Sequence, residues 1–323
     1  MMAKGQIVFH LPRHLLGDLQ IPPLYQVLRR GFQARGAEVT LRYRDLRALQ
    51  DLPQGADFHF VHNGGGTGAC VLNTAVAYLL PYFYFDPEGV YFQSRSNRAS
   101  FDPKAVPEAT AARRFQTLHQ RYVRPRLSRY EQPQEHSTLP KGAIAVFLQD
   151  WSEPVEAARF MSTQAMLQTV IAGAAGRPVV VKPHPRNQGP ETVMLLHWLA
   201  RKQPQVLVTQ ANLHDILQAA AVCVSICSSV AIEAMLHKKP AILFGKSDLH
   251  PCAVTVQSPQ DWPAALAHAL SFDWPYQAFV HWFFDQHLRG GDVMWLPLLQ
   301  RMQAAAADFA ALGISPPSPP ARQ

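Results

Sequence analysis

The sequence is poor in charge: only 16% of its 323 residues are Asp, Glu, Lys or Arg, against 48% hydrophobic. That balance excludes a disordered chain and leaves a globular protein long enough for two domains. Cysteine is scarce too. Cys70, Cys223, Cys227 and Cys252 form no Cys-x-x-Cys pair, which removes the common zinc and disulfide frameworks and leaves reduced, packed thiols. No run of about 18 apolar residues occurs, so no membrane-spanning helix is expected. The opening "MMAKGQIVFHLPRH" is too short in apolar residues for a signal peptide. The expectation is a cytoplasmic protein, with peripheral membrane association left open. Neither Gly-x-Gly-x-x-Gly nor a P-loop is present, which removes support for dinucleotide and ATPase readings. No His/Asp/Glu grouping has metal-ligand spacing, so neither metal nor cofactor is expected.

What is present begins with a net charge of +7. A basic excess suits anionic partners such as nucleotides, glycans, phospholipid headgroups or nucleic acid. Nucleic acid is disfavoured, because basic and aromatic residues hardly interleave and no recognised module appears. Apolar patterning alternates strand and helix through most of the chain, as in "QIVFHL" (6–11), "PLYQVLRRGFQARG" (23–36), "AEVTLRY" (37–43) and "DFHFVHN" (57–63). "AVAYLLPYFYF" (75–85) reads as buried strand, and a basic helix is expected at about 108–128. The polar "SRYEQPQEHSTLPKG" (128–142) reads as a linker. The alternation then restarts with "AIAVFLQ" (143–149), a helix over 154–176, "RPVVVKPHP", and further strand–helix pairs to residue 270.

This alternation predicts an α/β protein of two Rossmann-like domains, each with a parallel sheet, facing across a cleft. The expected boundaries are 1–130 for the N-terminal Rossmann-like domain, 131–142 for the linker, and 143–275 for the C-terminal one. Helices over 276–314 are expected to pack back, and the Pro-rich 315–323 to be a disordered tail.

Two motifs carry chemistry. "VVVKPHPR" (179–186) places Lys182, His184, Pro185 and Arg186 at the carboxyl end of a strand, where ligands of open α/β sheets bind. The prolines fix the backbone around His184, whose imidazole can hydrogen-bond or protonate a phosphate. "SICSSVAIEAM" (225–235) is strand, loop, helix, with Ser228 and Ser229 at the helix start. Capping hydroxyls and free N–H groups there suit an anion, and Glu233 is placed to accept ribose hydroxyls. A solvated basic turn and an ordinary helix cap are the bland alternatives.

Taken together and in order, "VVVKPHPR" and "VSICSSVAIEAMLHKKPAILFGKSDLH" resemble the capsule polysaccharide biosynthesis glycosyltransferases, the Kdo-transferase-like family. They are also similar to bacterial sialyl- and polysialyltransferases with His-Pro and Ser-Ser motifs. The resemblance covers about 143–250 and only loosely the N-terminal half. It implies a GT-B fold and a CMP-sugar donor whose phosphate meets His184, Ser228 and Ser229. It also assigns Gln149 and Glu153 of "FLQDWSEP" to the donor side, although Glu153 stands where relatives often carry Asp. "YFDPEG" (84–89) looks like the family's acidic-x-Gly element. Asp86 and Glu88 are then the two candidates for the base of an inverting transfer, Glu88 being preferred because it precedes Gly89. Arg95, Asn97 and Arg98 suit the carboxylate of an acidic sugar or acceptor.

The resulting expectation is transfer of a Kdo- or sialic-acid-type sugar from CMP to a glycan or glycolipid acceptor, without metal. CDP-glycerol-type glycerophosphotransfer, or another GT-B transfer from a nucleotide-diphosphate sugar, is the nearest alternative. A noncatalytic anionic-glycan or nucleic-acid binder is the alternative of another class.

Overall fold

The computed structural model describes residues 4–17, 20–45, 55–150, 153–187 and 189–316, the side chains of 153 and 154 excepted. The chain forms two units: residues 1–99 with 284–323, and residues 100–283. The boundary expected at residue 130 falls inside the second unit.

The first unit holds a six-stranded sheet. Its strands are β1 (Ile7–Leu11), β2 (Val39–Tyr43), β3 (Phe58–His62), β4 (Val71–Val76), β5 (Tyr82–Asp86) and β12 (Leu288–Arg289), in the order β12-β5-β4-β3-β1-β2. β2, β1, β3 and β4 run parallel, while β5 and β12 are antiparallel additions at one edge. The run 75–85, expected as one strand, is the junction of β4 and β5. The chain reverses through Tyr78, whose φ of 62° is left-handed, and Pro81 interrupts the pairing. Helix α1 (Pro23–Gln33) buries Tyr25, Leu28 and Phe32, its i, i+3, i+7 stripe. These residues join Phe9, Phe60 and Phe85 in one core. Helix α10 (Trp295–Ala304) completes that core with Leu298, Leu299 and Met302.

The second unit begins with α2 (Glu108–Leu118), which continues as a π turn over His119–Val123. Its sheet is wholly parallel: β6 (Ala143–Phe147), β7 (Val179–Lys182), β8 (Val206–Val208), β9 (Ala220–Ser225), β10 (Ala241–Leu243) and β11 (Val254–Thr255), ordered β11-β10-β9-β6-β7-β8. β6 and β9 are thus central neighbours at which the winding reverses, the position where α/β sheets open a ligand crevice. Helices α3 (Glu153–Ala158), α4 (Thr163–Ala172), α5 (Pro190–Lys202), α6 (Leu213–Ala219), α7 (Val230–Leu236) and α8 (Trp262–Ser271) connect the strands. The single helix expected at 154–176 is two helices, because Ser162 caps α4 by accepting Ala165 N–H at 3.1 Å. Helix α9 (Tyr276–Asp285) returns the chain to the first unit.

Residues 128–142 are not a linker between units. Arg126 pairs with Asp215 Oδ2 at 2.8 Å and donates to Gln134 O and Glu135 O, folding the segment back on itself. Asn212 Nδ2 donates to Pro133 O, Leu213 N–H to Gln132 Oε1, and Ser137 N–H to Asp215 Oδ2. Polar residues that read as solvated in the sequence are here the fasteners of a strap on α6. The Pro-rich end of the chain, 317–323, lies outside the described residues. Among the described residues no helix is long and apolar enough to cross a membrane, and all four cysteines are free.

Two consequences are measurable. A Cβ on Gly173 would lie 2.4 Å from Trp262 Cδ1, in the buried indole whose Nε1 donates to Gly173 O. Gly173→Ala should therefore destabilise by about 1–3 kcal/mol, read as a lower urea midpoint with unchanged slope. Second, burial lowers His10 to about 4 and His237 to about 3. Both are neutral in the fold but protonate in the unfolded chain near 6.5, so their contribution is present above pH 6.5 and lost as pH falls toward 4. Urea midpoints should drop steadily from pH 7 to pH 4.5.

Candidate functional site

The carboxyl ends of β6, β7 and β9 carry three loops of the second unit, and Gln149 joins them. Its backbone continues from β6. Its Oε1 accepts Cys227 N–H at 2.7 Å, immediately after β9, and its Nε2 approaches Cys227 Sγ at 3.5 Å. Its carbonyl accepts Asn187 Nδ2 at 3.2 Å from the loop after β7, and Asn187 Oδ1 in turn receives the Thr192 hydroxyl. One residue therefore ties the two loops, its side-chain amide to the Ser-Ser loop and its backbone carbonyl to the His-Pro loop.

In the His-Pro loop, His184 Nδ1 accepts Arg186 N–H at 3.2 Å. In the neutral ring this leaves the proton on Nε2, a hydrogen-bond donor. Burial lowers the His184 pKa, as do Arg186 and Arg129, while Asp150 opposes them. The imidazole is thus suited to donating a hydrogen bond from a neutral ring rather than to carrying a permanent charge. Pro185 and Arg186 are exposed beside it.

Lys182 is a correction to the expectation. Its side chain turns inward and Nζ donates to Gln210 O at 3.1 Å and Ala211 O at 2.7 Å. Burial lowers its pKa to about 8. As the last residue of a strand buried on both faces, it secures the turn after β8 instead of projecting from the His-Pro loop.

In the Ser-Ser loop, Ser228 N–H donates to Ser225 Oγ, and the Ser228 hydroxyl accepts Val230 N–H at 3.3 Å. Ser229 occupies the cap position of α7 with its hydroxyl uncommitted to capping. Both serines are half-buried. Glu233, expected beside ribose hydroxyls, is a second correction. It is 2% exposed, with Oε1 lacking a hydrogen-bond partner. Its position one turn into α7 points it inward, where burial raises its pKa to about 7 against the hydrogen bond from Ser128. Glu153 opens α3; its side chain lies outside the described residues.

The acidic turn belongs to the first unit. Asp86 ends β5 and is 8% exposed. Its Oδ1 accepts Glu88 N–H at 2.8 Å and Gly89 N–H at 3.2 Å, and its Oδ2 accepts Arg95 N–H at 3.0 Å. Burial raises its pKa, opposed by those N–H groups and by the charges of Arg95 and Arg301. Asp86 is therefore the staple of the turn. Glu88 projects further out, its side chain 35% exposed, and pairs with Arg95 Nε at 3.3 Å and with Arg98. Arg95 and Arg98, expected to hold a ligand carboxylate, thus hold the carboxylate of Glu88; Asn97 lies in the same short helical turn. A Cβ on Gly89 would stand 2.6 Å from Gln93 Cβ, so the turn needs glycine there.

Two residues that motif reading passed over complete this turn. Asn73 on β4 is fully buried. It donates to Gly66 O and Asp86 O and accepts Gly66 N–H, clipping the glycine-rich loop after β3 to the acidic turn. Arg301 on α10 donates to Phe85 O at 2.9 Å. Neither carries a motif signal: Asn73 is a polar residue inside a buried strand, and Arg301 reaches the turn from 216 positions away. Among the described residues no group of three or more His, Cys, Asp and Glu could hold a metal ion.

The fold is of GT-B type: two Rossmann-like α/β units in one chain, the second with its His-Pro and Ser-Ser loops at the winding reversal. Residues 155–264 match the family described as "Capsule polysaccharide biosynthesis protein", a stretch containing His184, Ser228, Ser229 and Glu233. Among solved structures the chain is similar to the Thermosulfurimonas dismutans KpsC beta Kdo 2,7 transferase at 16% identity and TM-score 0.54, covering 86% of this chain and 89% of that one. The beta Kdo 2,4 transferase of the same KpsC is similar at 15% identity and TM-score 0.48, over 85% and 89%. A Methanocaldococcus jannaschii UDP-GlcNAc 2-epimerase follows at 10% identity and TM-score 0.37, over 85% and 97%. No curated protein sequence matches the chain.

The buried acid gives a prediction of opposite sign to the histidines. Glu233 ionises near 4.5 when unfolded but only near 7 in the fold. Its protonated form favours the fold, and that advantage is lost as pH rises from 4.5 to 7, on the order of 3 kcal/mol in total. Glu233→Gln should therefore be more stable than the parent at pH 8, and the difference should vanish at pH 4.5 in urea titrations.

Proposed function

We propose that the protein is an inverting glycosyltransferase that moves an acidic sugar, of Kdo or sialic-acid type, from a CMP donor to a surface or capsular glycan. The observation that carries this reading is the Gln149 bridge. It sets the His-Pro and Ser-Ser loops on either side of the switch point, within and beside the stretch that matches the capsule biosynthesis family.

On this reading the second unit takes the donor. The Nε2–H of neutral His184, the hydroxyls of Ser228 and Ser229 and the Ser229 N–H hydrogen-bond the CMP phosphate, and Arg186 adds positive potential. Charge grows on that phosphate as the bond from the anomeric carbon to the phosphate oxygen breaks, and preorganised donors there lower the barrier. The first unit supplies the base. Glu88 receives the proton of the acceptor hydroxyl while the hydroxyl oxygen bonds the anomeric carbon from the opposite side, inverting it. Asp86 is the poorer base because three backbone N–H groups already occupy its oxygens. Arg95 and Arg98 are positioned to exchange Glu88 for the sugar or acceptor carboxylate. The proposed enzyme works in the cytoplasm, with peripheral association at the inner face of the membrane left open, and requires no metal or cofactor.

Thermal stabilisation by CMP, CDP, UMP, UDP, GDP and ADP tests the donor. CMP at a hundred times its Kd should add about 2.7 kcal/mol, and His184→Ala should abolish the shift. A response to UDP or another diphosphate alone would keep a transferase but discard the CMP-sugar donor. CDP-glycerol in competition separates the glycerophosphotransferase alternative. Glu88→Gln should retain CMP stabilisation while transfer falls about 10²- to 10⁴-fold. Equal loss in Asp86→Asn with an intact fold would move the base to Asp86.

A further inference from the structure

The strap over 126–137 places an aromatic residue where no motif predicts one. Tyr130 stands edge-to-face with His184, ring centroids 5.1 Å apart and planes at 84°. On the same ring lies the guanidinium of Arg186, 5.0 Å from the centroid, with that of Arg129 at 5.9 Å. Arg186 also supplies the backbone N–H that His184 Nδ1 accepts. Tyr130, His184 and Arg186 are therefore one assembly, and the tyrosine is its shared surface. Two residues earlier, Ser128 hydrogen-bonds the buried Glu233 beneath the Ser-Ser loop. The strap cannot drift from this position. Arg126 and Asp215 form a pair with side chains only 15% and 7% exposed, and Asn212 and the buried Gln132 fasten it further along.

We infer that Tyr130 is a positioning residue of the donor site, fixing the ring plane of His184 and parking Arg186 so that both meet the donor's phosphate. This rests on the donor reading given above. The physical basis is separable from it. An edge-to-face contact restrains an imidazole whose Nδ1 accepts one backbone N–H, and a ring face attracts a guanidinium. Without Tyr130, His184 can rotate about its side-chain torsions, and Arg186 loses the surface that keeps it beside the imidazole. Among the described residues, the charges that act on His184 are those of Asp150, Arg186 and Arg129.

The experiment follows the His184 imidazole by NMR from pH 5 to 8 in the full chain, assigned by its loss in His184→Ala. Tyr130→Phe, Tyr130→Leu and Tyr130→Ala are compared, with CMP affinity measured for each. Tyr130→Phe keeps the ring and should match the parent in both readouts. Tyr130→Leu and Tyr130→Ala uncover the imidazole, so its midpoint should move up toward 6.5 and CMP should bind about three- to tenfold more weakly. The leucine variant retains bulk under the strap and guards against simple unfolding of the alanine variant. An unchanged His184 midpoint in folded Tyr130→Leu would overturn the inference. If the parent binds no CMP yet the midpoint moves as stated, the positioning role stands and the CMP donor falls; these two failures are read by different measurements.

Discussion

A single residue, Gln149, ties together the loops around the crevice of the second unit. Parallel strands β6 and β9 are neighbours, but the loops that follow them diverge, because the chain winds to opposite sides after each. Unless something spans that divergence, the loops have no fixed relation. Gln149 supplies the link with its side-chain oxygen on Cys227 N–H and its carbonyl on Asn187. An amide suits this position better than a carboxylate would. It offers acceptor and donor together and adds no negative charge to a region suited to an anion.

The first unit solves a similar problem by the opposite means. There a buried carboxylate, Asp86, gathers three N–H groups of a turn and is itself fixed by Asn73 and the neighbouring Arg301. Burial acts against its charge, and the convergent donors compensate. The result is a rigid base from which Glu88, a residue of ordinary exposure, can be presented. Proximity in sequence thus conceals a division of labour: of two acidic residues separated by one proline, the inner holds the turn and the outer faces solvent and arginine.

The alternating pattern of the second half made its parallel sheet legible, because strands buried on both faces read as continuous Val, Ile and Ala runs. "VVVK" and "AVCVS" are β7 and β9, and both motif loops leave their carboxyl ends. Legibility failed where polar residues serve internal contacts. Gln132, Asn212 and Asp215 look like surface residues in the sequence, and their role as fasteners depends on partners about 80 positions away. A distant partner likewise hid Arg301, while Asn73, Lys182 and Glu233 were misjudged because a side chain's inward direction is not written in its local motif. A lysine beside a His-Pro motif advertises anion binding, but its direction is set by the strand's pleat, and the pleat turns it to two carbonyls.

The division of the chain has a consequence for its synthesis. Residues 100–283 are contiguous, so the second unit leaves the ribosome complete and can fold at once. The first unit is made in two instalments. When its sheet strands β1 to β5 have emerged, Leu298, Leu299, Met302 and Phe309 of its core are still untranslated. Phe9, Phe60 and Phe85 must then wait, partly uncovered, through the synthesis of nearly two hundred residues. The unit whose strands are made first is therefore the last to close its core, and the nascent chain at that stage is the form with the most exposed aromatic surface for a chaperone to hold.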